Sequence, residues 1–176
     1  MKKQDILENQ ANTAYLSIGS NLGNRIVNIE KAKYLLNYLE INILKTSNFY
    51  KTKSWPDENF PYYLNIILSV NTKLNLINLY NKVKYVEKLL GRIKSKRNSP
   101  RICDIDIIDF NSSCLSKKNY LNDNITVPHS RMHKRNFVLL PLFELNKKWI
   151  HPKFKKNIIT LISSLSIKDL RSIKLT

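Results

Sequence analysis

The order of hydrophobic patterns along the chain predicts an α+β fold of the ferredoxin-like type, β-α-β-β-α-β, with a mainly antiparallel sheet, helices packed on it and C-terminal additions. Runs of β-forming residues occur in four places, residues 14–18, 41–52, 66–72 and 102–108. Apolar residues at helical spacing occur in two stretches between them, residues 22–39 and 74–90. The 176 residues suffice for one domain with a substantial core.

A glycine-containing turn joins the first strand pattern to the first helix pattern. Ser20 or Asn21 is expected to cap that helix, because hydroxyl and amide oxygens accept hydrogen bonds from the first helical N–H groups. Gly19 and Gly23 fit neither G-x-G-x-x-G nor G-x-x-x-x-G-K-[ST] in their spacing. A Rossmann-type or Walker-type phosphate loop is therefore not expected here.

The second helix pattern ends at Gly91, a residue type that commonly follows a helix C-terminus. Glu87 is expected to face away from the apolar stripe of this helix, where it could orient a nearby arginine. Residues 111–124 read as a polar connection, and residues 157–165 as a short final helix.

Composition excludes some classes of protein and leaves the ligand open. The net charge of +17 suggests an anionic partner, but the basic residues are spread along the chain, so the charge alone identifies no ligand. Cys103 and Cys114 form neither a disulfide framework nor a zinc cluster, which favours a reducing compartment. Residues 1–13 lack the apolar region of a signal peptide, and no run has the length of a membrane span. These features predict a soluble, cytoplasmic protein.

The strand pattern at 102–108 carries two carboxylates. Because side chains alternate along a strand, Asp104 and Asp106 should point the same way, roughly 7 Å apart. Carboxylate oxygens without histidine suit Mg²⁺ better than zinc. A polar run beside them supplies cations, namely Arg92, Lys94, Lys96, Arg97 and Arg101. Metal and mobile cations together are typical of polyphosphate sites. The same pattern also fits an edge strand with solvated aspartates beside a basic surface loop.

The string GRIKSKRNSPRICDIDI, residues 91–107, resembles the signature of the 6-hydroxymethyl-7,8-dihydropterin pyrophosphokinases of the folate pathway. Three further strings resemble motifs of this family in the same order. They are AYLSIGSNLGNR at 14–25, YLN at 63–65, and the pattern P-H-x-x-x-x-x-R-x-F at 128–137. The resemblance covers roughly residues 14–152 and implies transfer of the β,γ-diphosphoryl group of ATP to the pterin hydroxymethyl group, giving AMP and the pterin diphosphate.

The resemblance also implies roles for individual residues. Two Mg²⁺ ions would be held by Asp104 and Asp106. The catalytic residues would be Arg92, Arg101, Asp104 and Asp106. ATP would be bound by Arg92, Arg97, Thr126, His129 and Arg135. The pterin would be bound by Thr52, Tyr63, Asn65 and Phe137, with the Phe137 ring stacked on the pterin opposite Tyr63. The Asn65 amide offers a donor and an acceptor to the pyrimidinone edge. Core packing is the alternative for Phe137 when that residue is considered alone.

Some positions depart from the family pattern. Asn98-Ser99 stands where a Trp-Gly pair is expected, in a basic loop one residue shorter than usual. Ser130 replaces an aromatic residue after the histidine, and Lys53-Ser54 lies where prolines are common. These changes are expected to affect loop closure and substrate affinity more than the chemistry. Trp55 could supply compensating aromatic cover.

A small basic RNA-binding domain is the alternative function, because RNA-recognition modules share this β-α-β-β-α-β order. Such a module would carry aromatic residues on the central strands, where this chain has carboxylates. A degenerate binder is disfavoured because the key acidic and basic residues are present. We expect a flexible extension at 1–13, the pyrophosphokinase domain at 14–155, and a helix with a basic tail at 156–176. The chain is expected to be a monomer that binds ATP and the pterin, without nucleic-acid or membrane partners.

Overall fold

A computed structural model describes residues 11–54, 57–92, 99–120 and 123–176. The strands are β1 (Asn12–Ser20), β2 (Asn42–Thr46), β3 (Tyr50–Thr52), β4 (Tyr63–Thr72), β5 (Asp104–Phe110), β6 (Leu115–Lys118), β7 (Asn124–Val127) and β8 (Lys174–Leu175). The helices are α1 (Arg25–Tyr38), α2 (Leu76–Leu89), α3 (Asn136–Leu145), α4 (Ile158–Ser163) and α5 (Ile167–Arg171), with a 3-10 turn at Met132–Lys134. None of the described helices is long and apolar enough to cross a membrane.

The main sheet has the predicted antiparallel ferredoxin-like arrangement. Its strands follow the order β5-β1-β4-β3-β8, and β2 pairs with a further part of β4. β1 therefore lies between β4 and β5, with which it pairs antiparallel over most of its length. The predicted α+β class and its β-α-β-β-α-β order are confirmed. β1 begins at Asn12, two residues before the expected start of the first strand.

The stretch predicted as one strand over 41–52 is divided into β2 and β3. Ser47 bonds to Ile67 through its backbone N–H, which donates at 2.9 Å, and its hydroxyl, which accepts the Ile67 N–H at 2.9 Å. The next backbone N–H, that of Asn48, donates to the Glu144 carboxylate of α3 at 3.0 Å. The regular ladder is interrupted because a side chain and a distant helix take its hydrogen bonds.

Two segments beyond β5 contain more regular structure than the sequence indicates. The polar connection predicted at 111–124 includes β6, which pairs with β7 in a separate two-stranded antiparallel sheet. The short final helix predicted at 157–165 is α4, and it is followed by α5 and β8. β8 pairs with β3 and extends the main sheet beyond it.

Each face of the main sheet is covered by a hydrophobic core. Side chains of α1 and α2 pack on one face, where Ile105 and Ile107 of β5 are buried. On the other face, α3 and α4 pack around Ile67 and Ile108. A register shift opposite Tyr15 leaves Ile108 as an extra residue of β5, which is the arrangement of a β-bulge. One end of the second face lies outside both apolar clusters and is available for polar chemistry. It carries Asp104, Asp106, Gly19 and Asn65.

Candidate active site

The predicted carboxylates and the predicted pterin residues lie on neighbouring strands at one end of the sheet. Gly19 of β1 is directly opposite Asn65 of β4 on one side and Asp104 of β5 on the other. Ser17 is opposite Asp106 in the same way. Directly opposed residues point to the same face of a sheet. Asn65, Asp104 and Asp106 therefore share one face, and Gly19 separates the first two without a side chain.

Asp104 is neutralised by two arginines. One carboxylate oxygen accepts from Arg92 Nη1 at 2.7 Å, and the other accepts from Arg101 Nη1 at 2.9 Å. The Asp104 side chain is 27% exposed, so a ligand approaching from solvent can reach it. Three residues predicted as catalytic thus form one ion-paired group, in which each oxygen of the Asp104 carboxylate accepts a hydrogen bond from one arginine.

Glu87 contacts this group from the buried side, through Arg92. Its carboxylate is buried and accepts from the Ile105 backbone N–H at 2.7 Å, from Lys84 Nζ at 2.9 Å and from Arg92. Burial raises the pKa of Glu87, whereas the charges of Lys84 and Arg92 act in the opposite direction. The expectation that Glu87 faces away from the core is wrong, because the polar start of β5 packs beside α2. The expectation that it contacts an arginine is confirmed.

Asp106 has its own cationic partners. Arg135 Nη1 donates to Asp106 Oδ2 at 2.8 Å, and His129 Nε2 lies 3.7 Å from the same oxygen. Burial works to raise the pKa of Asp106, but His129 and Arg135 outweigh it and hold the pKa below its ordinary value. Burial lowers the pKa of His129. Its Nδ1 accepts from the Arg131 backbone N–H at 3.2 Å, so the proton of the neutral ring lies on Nε2, facing Asp106.

The predicted pterin residues of β3 and β4 also contact one another. Asn65 is buried, and its Nδ2 donates to Thr52 Oγ1 at 3.0 Å and to the Tyr50 carbonyl at 3.2 Å. These bonds use both amide hydrogens and leave Oδ1 directed toward Gly19, where a Cβ would meet it at 3.0 Å. Tyr63 is half-buried beside the same glycine, and burial raises its pKa.

The remaining predicted residues are placed differently. Phe137 is in the first turn of α3, half-buried, with the Arg135 guanidinium carbon 5.5 Å from its ring centroid. Thr126 is exposed on β7, paired with Ser116 in the small sheet rather than in the ion-paired groups. Arg97 falls outside the described residues, as do Asn98 and Trp55 from the expected departures.

Asn21 has a larger role in the site than the sequence indicated. Asn24, and not Ser20 or Asn21, caps α1. Asn21 is instead buried, and its Oδ1 accepts from the Arg101 backbone N–H at 2.6 Å. Its Nδ2 donates to Ser54 Oγ at 3.2 Å and lies 3.3 Å from the Pro61 carbonyl oxygen. Asn21 thereby joins the backbone of Arg101 to the loop between β3 and β4.

Residues 15–147 match the family of the 7,8-dihydro-6-hydroxymethylpterin-pyrophosphokinases. The chain belongs to this family. A pyrophosphokinase of this kind from Aquifex aeolicus is 39% identical over 145 residues, which cover 82% of this chain and 86% of the relative. The corresponding protein of Bacillus subtilis is 35% identical over 135 residues, covering 76% of this chain and 78% of that protein.

Longer proteins contain a similar region. The folic acid synthesis protein of Pneumocystis carinii is 30% identical over 173 residues, 98% of this chain but only 22% of that protein. A Plasmodium falciparum HPPK-DHPS crystal structure with pterin and p-hydroxybenzoate has a TM-score of 0.78 at 18% identity and covers 95% of this chain and 48% of the other. The pyrophosphokinase fold of this chain thus spans less than half of each of these two longer proteins.

Proposed function

We propose that this chain transfers the diphosphoryl group of ATP to 6-hydroxymethyl-7,8-dihydropterin and releases AMP and the pterin diphosphate, in tetrahydrofolate biosynthesis. The family match across residues 15–147 carries this proposal. Curated relatives at 30–39% identity are named as pyrophosphokinases of this pterin, and enzymes of the family use ATP as co-substrate. Neither the comparisons nor the described fold favours the RNA-binding alternative.

Asp104 and Asp106 are proposed to hold two Mg²⁺ ions. Magnesium is commonly bound through one or two carboxylates, with substrate phosphates and water completing its coordination. Within the described ranges, no group of three or more His, Cys, Asp and Glu side chains forms a metal cluster, which is compatible with a site that the phosphates of ATP complete. Bound magnesium would neutralise phosphate charge and orient the triphosphate.

Arg92 and Arg101 are proposed to move between two partners. In the free protein both donate to Asp104. When ATP arrives, their guanidinium groups can donate to phosphate oxygens, to which arginine binds in a planar, forked geometry. Glu87 keeps Arg92 near this position, because it contacts the same Nη1 from the buried side. On the other side of the site, His129 Nε2–H and Arg135 supply further donors to the phosphates.

The pterin is proposed to lie against β4 and the start of α3. Asn65 Oδ1 accepts from the pyrimidinone edge, since both Asn65 amide hydrogens are engaged by β3. Tyr63 and Phe137 stack on the two faces of the ring system. The described site offers no strong general base beside the hydroxymethyl group, so in-line positioning and neutralisation of charge supply most of the rate.

The test is to incubate the purified protein with ATP, Mg²⁺ and the pterin and to separate the nucleotides by chromatography. AMP should form only when the pterin is present. Asp104→Ala and Asp106→Ala should abolish it, whereas Glu30→Ala, which removes an exposed carboxylate of α1, should not. ADP in place of AMP would contradict diphosphoryl transfer. Absence of binding to both ATP and the pterin would contradict the proposed function as a whole.

The proposal also covers the oligomeric state, location, partners and domain organisation of the protein. We propose a monomer in the cytoplasm without nucleic-acid or membrane partners, with the catalytic domain at 14–155 and an additional segment at 156–176. Light scattering coupled to gel filtration tests the oligomeric state. A dimer at micromolar concentration would contradict it.

A further inference from the structure

Residues 166–176, here termed the edge segment, contact one structural element on each side of the proposed pterin pocket. The segment comprises α5 and β8 and begins at Ser166, the N-cap of α5. It lies beyond residues 15–147, which match the pyrophosphokinase family. Its contacts are made to β3, which carries Thr52, and to the start of α3, which carries Phe137.

The first contact is a strand pairing. β8 pairs antiparallel with β3, with Leu175 opposite Tyr50, and the Thr176 N–H donates to the Phe49 carbonyl at 3.0 Å. On its other side β3 pairs with β4, where Thr52 lies opposite Tyr63. β3 has three residues, and so short a strand forms few ladder bonds of its own. With β8 in place, β3 is held from both sides.

The second contact passes through a single amide. Asn136 is 9% exposed, and its Nδ2 donates to the Asp169 carbonyl at 2.5 Å and to Ser172 Oγ at 3.0 Å. Its Oδ1 accepts from the Phe137 backbone N–H at 2.7 Å. The same side chain therefore bonds to the edge segment and to the residue proposed to stack on the pterin.

We propose that the edge segment positions Thr52 and Phe137 for pterin binding and leaves the nucleotide subsite unaffected. This inference rests on the proposed function. The reason is preorganisation: a protein that fixes the backbone of these residues before binding does not lose their conformational freedom on binding. The ion-pair partners of Asp104 are instead Arg92 and Arg101, which lie between α2 and β5. Those of Asp106 are His129 and Arg135, which precede α3, so none of the four belongs to the edge segment.

The test compares three variants with the intact chain, using titration calorimetry with 6-hydroxymethyl-7,8-dihydropterin and, separately, with a non-hydrolysable ATP analogue and Mg²⁺. A chain ending at Leu165 and Asn136→Ala should each weaken pterin binding about tenfold or more, which corresponds to about 1.4 kcal/mol. Both should bind the ATP analogue within about twofold of the intact chain. The matched control is Asn146→Ala at the other end of α3, where the amide donates to Tyr15 Oη at 3.1 Å. It should leave both affinities unchanged.

Hydrogen exchange keeps the inference falsifiable if a variant loses stability. Protection should fall at the backbone amides of residues 49–52 and 136–138 and persist in β1 and β4. Unchanged pterin affinity in the truncated chain, equal weakening of both ligands, or uniform loss of protection would each overturn the inference. If the intact chain binds no pterin, the proposed function fails together with this inference. If the intact chain and the chain ending at Leu165 bind the pterin equally well, this inference is overturned and the proposed function is not.

Discussion

A methyl group added at Gly19 tests the proposed pterin pocket directly. A Cβ there would lie 3.0 Å from Asn65 Oδ1 and 3.4 Å from Tyr63 Cδ1. The first contact is too close, so Gly19→Ala requires Asn65 to shift by a few tenths of an ångström. Asn65 cannot shift freely, because its Nδ2 donates to Thr52 Oγ1 and to the Tyr50 carbonyl.

The size of the effect follows from these two hydrogen bonds. Each neutral bond contributes about 0.5–1.5 kcal/mol, so weakening both should lower the free energy of unfolding by at most about 1–3 kcal/mol, the cost of losing them. Overpacking a well-packed core has a similar cost, about 1–3 kcal/mol. Misdirecting the Asn65 carbonyl oxygen should cost roughly one hydrogen bond to the pterin, an increase in the KM for the pterin of about twofold to tenfold.

The assay is steady-state kinetics with the pterin varied at saturating ATP, together with urea unfolding. The KM for ATP should stay within about twofold of its original value. In an Asn65→Ala background the oxygen that obstructs the new methyl group is absent. Gly19→Ala should then change the free energy of unfolding, and the free energy that corresponds to the KM for the pterin, by less than about 0.5 kcal/mol each. An unchanged pterin KM for Gly19→Ala alone, or full additivity with Asn65→Ala, would refute the reasoning.

Three further predictions concern buried polar groups. Asn21→Ala removes the acceptor of the Arg101 N–H and should cost about 1–3 kcal/mol of unfolding free energy; an unchanged urea midpoint would contradict this. Trp149→Phe removes the indole donor to buried Asp109, at 2.8 Å, and should cost about 1–3 kcal/mol in the same measurement, unless Asp109→Leu is introduced as well. Burial lowers the pKa of His151 from 6.5 to about 4, so the unfolded chain takes up this proton first as the pH falls. Stability should therefore decrease from about pH 6.5 to about pH 4, and His151→Leu should flatten that part of the profile; equal slopes would argue against a buried neutral imidazole.

The fold order could be predicted because it depends on local periodicity. Polar and apolar residues alternate around Asp104 and Asp106, and apolar residues recur at helical spacing in α1 and α2. Both patterns are visible within windows of about ten to fifteen residues. The division of the second strand could not be predicted, because it depends on Glu144, which is 96 residues from Asn48 in the chain. β8 has two residues, too few for any periodicity.

The candidate site was predicted mainly from the family motifs, and its connections came from the structure. The cap of α1 was assigned to Ser20 or Asn21 because these residues and Asn24 are equivalent as local capping signals. Only the tertiary structure separates them, since Asn21 bonds across 80 residues to Arg101. The burial of Glu87 has the same origin, because a charged residue on a helix is expected at the surface unless its partners are known.

Asn65, Gly19 and Asp104 lie side by side on three adjacent strands, so the sheet itself sets the distance between Asn65 and Asp104. Adjacent strands are about 4.8 Å apart, so two steps across the sheet separate Asn65, proposed to bind the pterin, from Asp104, proposed to bind metal, by about 10 Å. The backbone hydrogen-bond ladder sets this spacing, and no side chain in the row can alter it. A one-residue slip of β1 against either neighbour would turn its side chains to the opposite face. Insertions and deletions should consequently be tolerated in the surrounding loops and excluded from the central strand.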